Sequence, residues 1–238
     1  MKFLSLQDRA VKAMKGLRLT LGAHALGVVL HVLGGVVSAT AIAPALLGLA
    51  GVVQGASILF CAATFLPWWH RAYGNLGPLQ WGTRRTSAGW AVGGFFVPLL
   101  NLVLPYQAGL EIWNGSVGAV RKARQQEPER WSASPVNAWW YAWLGSALLM
   151  MQGARTQSGL FAGLMAAGAS ALAVVSARHA LLLVEGVTEL QDLGAVALTA
   201  RAQDRPVVPG RDPLRDRGVS AGTEAVAPTM ADPLAHLK

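Results

Sequence analysis

Between Leu19 and Trp69 the chain carries no Asp, Glu, Lys or Arg, a charge-free run of 51 residues. One helix needs roughly 20 apolar residues to cross the hydrocarbon core of a bilayer. The run therefore holds two helices and a tight turn. Charged residues are 13% of the 238 and hydrophobic ones 53%, where a soluble domain has about 25% charge. The chain lacks the polar surface to cover a water-soluble globule. These features predict an all-α, polytopic transmembrane helical bundle.

Apolar segments place the first span at about 19–40 and the second at about 46–69, with Ala43-Pro44 punctuating the run between them. The A-x-A patterns at 38–43 resemble a signal-peptide cleavage site, but the apolar region before them is longer than a signal h-region. The first span is therefore expected to stay uncleaved. The second ends in Trp68, Trp69, His70 and Arg71, an aromatic belt followed by cations. A third apolar element, about 88–113, is broken by Pro98 and Pro105. A fourth covers about 137–154 and opens with Trp139, Trp140, Tyr141 and Trp143, and the last covers about 159–184. Four parts follow: a basic amphipathic N-terminal segment, 1–18; a transmembrane domain, 19–185; a juxtamembrane helical extension, 186–199; and a disordered cytoplasmic tail, 200–238, rich in Pro, Arg and Asp.

The net charge of +8 sits in short blocks beside apolar segments, which points to the lipid bilayer and not to nucleic acid. Five straight spans would put 9 Lys and Arg inside and 11 outside, no bias at all. A third element that enters and leaves on one side puts 19 of the 20 inside, with Arg155 alone opposite. Proline removes a backbone donor and blocks helix continuation, so such a break is chemically reasonable. The expected arrangement is four full spans plus one Pro-broken or re-entrant element, in the cell inner membrane, with both termini cytoplasmic.

The run Trp69-His70-Arg71-Ala72-Tyr73-Gly74-Asn75-Leu76 is followed by Gly89-Trp90-Ala91-Val92-Gly93-Gly94, Pro98, Asn101-Leu102, Pro105, Glu111-Ile112-Trp113 and Trp139-Trp140. In this order the motifs resemble a bacterial membrane family catalogued as domain of unknown function 4328, over about 45–185. The resemblance implies a membrane domain and supplies no activity.

Arg71, Asn75, Asn101 and Glu111 are the polar residues of that core, and ionisable groups at membrane depth pair or line water. Arg71 and Glu111 are expected to pair, and Asn101 to satisfy carbonyls freed by Pro105. His24 and His179 fall at equal depth on this topology and are the candidate haem or metal ligands. His31 has no evident partner. Gly51 and Gly55, and Gly159 and Gly163, are spaced for close helix approach, within the bundle or in a homo-oligomer. The lone Cys61 allows no intrachain disulfide. No H-E-x-x-H, G-x-S-x-G or phosphate-cradling loop occurs, so no enzyme and no resident cofactor is expected. Three function classes remain. The first is a non-enzymatic envelope interaction or scaffold protein, with a protein partner on its cytoplasmic tail. The second is a small transporter or channel component built on the broken element. The third is a haem- or quinone-binding redox subunit.

Overall fold

A computed structural model of the chain describes residues 3–79, 84–124, 134–156 and 159–203, and every regular element among them is helical. Helix α1 spans Gln7–Val36 and α2 spans Ala43–Gly74. A short helix α3, Ala88–Gly93, is followed by a 3-10 turn at Leu100–Leu102 and helix α4, Leu104–Arg124. Helices α5, Val136–Gly153, and α6, Gly159–Gln203, complete the order. Three of these helices, α1, α2 and α6, are long and apolar enough to cross a membrane.

Local sequence explains the breaks. Pro44 sits in the first turn of α2, where no amide donor is needed. Ser87 caps α3, its Oγ accepting from the Trp90 amide at 3.2 Å. After α3 the chain reverses in a γ-turn centred on Leu99 (φ 66°, ψ −49°), where the Leu100 amide donates to the Pro98 carbonyl at 2.8 Å. Pro105 then fits the first turn of α4. The two arms close on each other, since a Cβ on Gly94 would stand 2.8 Å from the Leu104 Cβ.

α1 begins at Gln7, well before the expected first span. Leu6, Ala10, Ala13 and Leu17 are buried in the same core as α2, so the basic segment continues the first long helix. α6 likewise runs unbroken to Gln203, with Val184, Val187 and Leu190 fully buried; residues 200–203, assigned to a tail on sequence, belong to it. The rest of the expected disordered tail, 204–238, lies outside the described residues.

Glycine contacts fix the helix directions. Gly27 faces Gln54 and Ser170; Gly35 faces Gly163, and Gly159 faces Ser38. α1 therefore runs antiparallel to both α2 and α6. α5 runs antiparallel to α6, from Trp139, whose carbonyl accepts from Ser176 Oγ at 3.1 Å, to Gly153 against Met165.

The core lies towards one end of the long helices. Phe65 packs on Trp68 and Trp69 of α2, and Trp69 meets Phe95 and Trp139, its ring centroid 5.5 Å from each. The indole donors are satisfied: Trp68 Nε1 donates to Thr188 Oγ1 at 3.2 Å and Trp69 Nε1 to the Ala91 carbonyl at 3.1 Å. Towards the other end, Val36, Val52, Leu59 and Leu160 point outward.

The glycine pairs divide. A Cβ on Gly163 would stand 2.7 Å from the Gly35 Cα and the His31 carbonyl oxygen, and one on Gly159 would stand 2.5 Å from the Ser38 Cβ. Gly51 and Gly55 would meet nothing within 4 Å, so they are not contact points within the bundle. Gly163→Ala should therefore destabilise by about 1–3 kcal/mol, the usual penalty of overpacking. Gly51→Ala should be neutral or gain up to about 1 kcal/mol of helix propensity. Thermal melts of the two variants in detergent check the contrast; equal melting temperatures would remove the packing assignment.

Candidate functional site

Three clusters of polar side chains join the helices. The first lies beside the aromatic core. Gln191 of α6, fully buried, donates from Nε2 to the Ala72 carbonyl at 3.0 Å and to Ser116 Oγ at 3.2 Å. Its Oε1 accepts from Asn75 Nδ2 at 3.0 Å. Asn75 also pairs with the backbone of Leu4, donating to its carbonyl at 2.8 Å and accepting from its amide at 3.3 Å. One knot thus ties the chain start, α2, α4 and α6 together. Around it, Gln7 Nε2 donates to Asp192 Oδ2 at 2.7 Å and Arg9 Nη1 to the Pro67 carbonyl at 2.7 Å.

The second cluster centres on Glu111 of α4. Tyr73 donates its hydroxyl to Glu111 Oε2 at 2.5 Å and accepts from the Thr86 amide at 3.3 Å. The cation on Glu111 is Arg85, with Nε 3.4 Å from Oε1, and not Arg71. Arg71 reaches the Ser5 carbonyl instead, at 3.5 Å. The expected Arg71–Glu111 pair does not form because Arg71 follows the N-terminal segment, whereas Glu111 follows Tyr73 and the chain leading into α3.

The third cluster runs inside the long helices. His31 Nδ1 lies 3.3 Å from Ser170 Oγ, which accepts from Gln54 Nε2 at 3.1 Å. Ser57 donates to the Gln54 carbonyl, and its own carbonyl accepts from Thr20 Oγ1 at 3.1 Å. His31, expected to lack a partner, is therefore a junction of α1 and α6. His24 is buried with its Nδ1 unpartnered. His179 binds the carbonyl of Val175, four residues before it on its own helix, at 2.9 Å. His24 lies three residues before Gly27, while His179 lies nine residues after Ser170. At 1.5 Å per residue they differ in depth by about 9 Å, so they are not at the equal depth that joint ligation needs. Among the described residues no group of three or more His, Cys, Asp or Glu could hold a metal ion.

Pro98 and Pro105 flank the reversal between α3 and α4. Asn101 sits in the 3-10 turn between them with its Oδ1 buried and unpartnered; it does not serve as the expected partner for freed backbone.

Gln54, Ser170, Ser116, Gln191 and Tyr73 were not singled out from the sequence. Gln54 carried a signal, being the lone amide side chain between Leu19 and Trp69. Gln191 had none, because it falls at an ordinary helical position among Glu and Asp.

A family model described as a domain of unknown function (DUF4328) matches residues 37–189, a region that holds Tyr73, Asn75, Glu111 and Ser116 and leaves α1 outside. No curated protein and no solved structure matches the chain.

Because Glu111 is held by Tyr73 and by a largely exposed Arg85, Arg85→Gln should cost under about 1 kcal/mol, as exposed pairs do. Gln191→Leu should cost about 1–3 kcal/mol for each buried partner it strands. A double-mutant cycle of Arg71→Gln with Glu111→Gln should be additive, whereas Tyr73→Phe with Glu111→Gln should not. Coupling in the first cycle would contradict the assigned pairing.

Proposed function

We propose, from the premise that this chain belongs to the family described as a domain of unknown function (DUF4328), that it is an inner-membrane scaffold. On this reading it acts by interaction and not by catalysis. The bundle has four full spans, α1, α2, α5 and α6. The α3–α4 element re-enters from the side on which it starts, and both termini are cytoplasmic. The 18 residues of α5 rise about 27 Å, close to the thickness of a hydrocarbon core, and its aromatic first turns suit an interface. Re-entry is supported by the exposed apolar tip, Phe96, Leu99 and Leu102, and by Gly109 of α4 returning to Trp69 and Trp139.

The observation that carries the reading is the knot of Asn75, Ser116 and Gln191. Its polar groups bind other parts of the same chain, and so fasten α4 and α6 into a platform at the cation-rich end. Arg201 adds to it by donating to the Lys122 carbonyl at 2.7 Å. A platform of that kind presents a surface and the tail beyond α6 to a partner. A second reading, a small transporter or channel component, is favoured by the unpartnered Asn101 Oδ1 at the tip of the broken element, because discontinuous helices hold ion sites.

Single cysteines at Gly118, Arg155 and Ala225, in a chain with Cys61 replaced, test the topology. Only the one at 155 should react with an impermeant thiol reagent in intact cells; labelling at 118 would remove re-entry. For the scaffold reading, in-cell crosslinking of the tagged chain should capture a protein that is lost on truncation after Gln203, with the melting temperature retained. Ion flux in liposomes abolished by Asn101→Leu would favour the transporter instead.

A further inference from the structure

On α1 the exposed residues Lys15, Arg18, Gly22, Val29, Leu33 and Val36 recur at three-, four- and seven-residue spacing. They form one continuous stripe up the helix. Its lower part is cationic and its upper part apolar, and the change comes within a single turn. Lys12 flanks the lower part, and Leu19 and Leu26 flank the upper. At the boundary Gly22 leaves a notch, for a Cβ built there would meet nothing within 4 Å. Lys12, Lys15 and Arg18 make no ion pair among the described residues. The nearest acid on their helix is Asp8, one turn below Lys12, and Asp192 of α6 is engaged by Gln7. Three cations without an ion pair among the described residues thus stand at the foot of an outward-facing apolar stripe.

We propose that Lys15 and Arg18, with Lys12 at the edge, bind the headgroup phosphate of one anionic glycerophospholipid, whose acyl chain lies over Gly22 along the stripe. The site rests on the reading of α1 as a membrane span. Charge complementarity identifies the headgroup as anionic, and the apolar continuation identifies the ligand as a lipid. A free phosphate would use the cations and leave the stripe unfilled. A basic residue near an anionic membrane surface strengthens binding about fivefold.

The test uses the full chain in nanodiscs of phosphatidylcholine, with or without phosphatidylglycerol, read by native mass spectrometry of retained lipid and by thermal melting. The parent should retain phosphatidylglycerol and melt higher in its presence. Lys15→Gln with Arg18→Gln should weaken that retention roughly thirtyfold, while Arg155→Gln, at the opposite end, should leave it unchanged. All three proteins should melt together in pure phosphatidylcholine, which shows that the variants fold. Equal retention by the double variant, or an equal loss in Arg155→Gln, would overturn the site. Inorganic phosphate that reproduces the shift would also overturn it. So would loss of a co-purifying protein from the double variant with lipid retention intact, which would assign the stripe to a protein partner. The cysteine labelling reads the side on which each position lies and not lipid retention, so failure here leaves the proposed topology standing.

Discussion

A primary amide buried away from water must find partners for two donor hydrogens and an acceptor oxygen, or lose free energy for each one left unmade. Gln191 finds three partners on two other helices: the Ala72 carbonyl of α2, the Ser116 hydroxyl of α4 and the Asn75 amide at the end of α2. None of these contacts is local in sequence. The knot therefore forms only when α2, α4 and α6 are in register, and Asn75 extends that register to Leu4 at the start of the chain. In a bundle whose helices offer one another little hydrophobic driving force inside lipid, directional contacts of this kind decide how the helices pair.

The aromatic core follows from the same register. Trp68 and Trp69 are adjacent on α2 and face different partners, one donating to Thr188 on α6 and the other to the backbone of α3. Trp69 thereby holds the short arm of the broken element against α2, with Phe95 packed edge-on to its ring. Six residues of helix are too few to be stable alone, and α3 is held by this contact together with its Ser87 cap. Further along, the helices approach through glycine. Gly35 and Gly163 bring α1 and α6 close enough for their backbones to touch, which places His31 within reach of Ser170, itself the acceptor for Gln54.

Much of this was legible in the sequence. The charge-free run could hold only two long helices, and the structure has α1 and α2. Pro98 and Pro105 marked the stretch where α3 and α4 are separate. The juxtamembrane helical extension expected over 186–199 is part of α6, which reaches Gln203. The polar partners were not legible, because they depend on which helix face meets which neighbour. Arg71 and Glu111 carry opposite charge near the ends of apolar segments, a pattern that suggests a pair. Arg71 is turned towards Ser5, however, and Tyr73, two residues along the same helix, points the other way towards Glu111. The depth of His179 was misjudged because the last helix continues well beyond its apolar segment. Gly51 and Gly55 have the spacing of a packing motif on a face that no other helix covers among the described residues.

α4 is the element through which these parts communicate. It begins at the reversal beside Gly94, passes Trp69 and Trp139 at Gly109, and reaches Tyr73 through Glu111. It then supplies Ser116 to the knot and meets Gly194 of α6 at Ala119. Sliding α4 along its axis by one residue would break the Glu111 and Ser116 hydrogen bonds together, each worth about 1 kcal/mol net and more where a buried group is stranded. Repacking Gly109 against two indole rings would add to that. α4 therefore links the reversal at its start to the knot and to Gly194 of α6, with the aromatic core packed against it between the two.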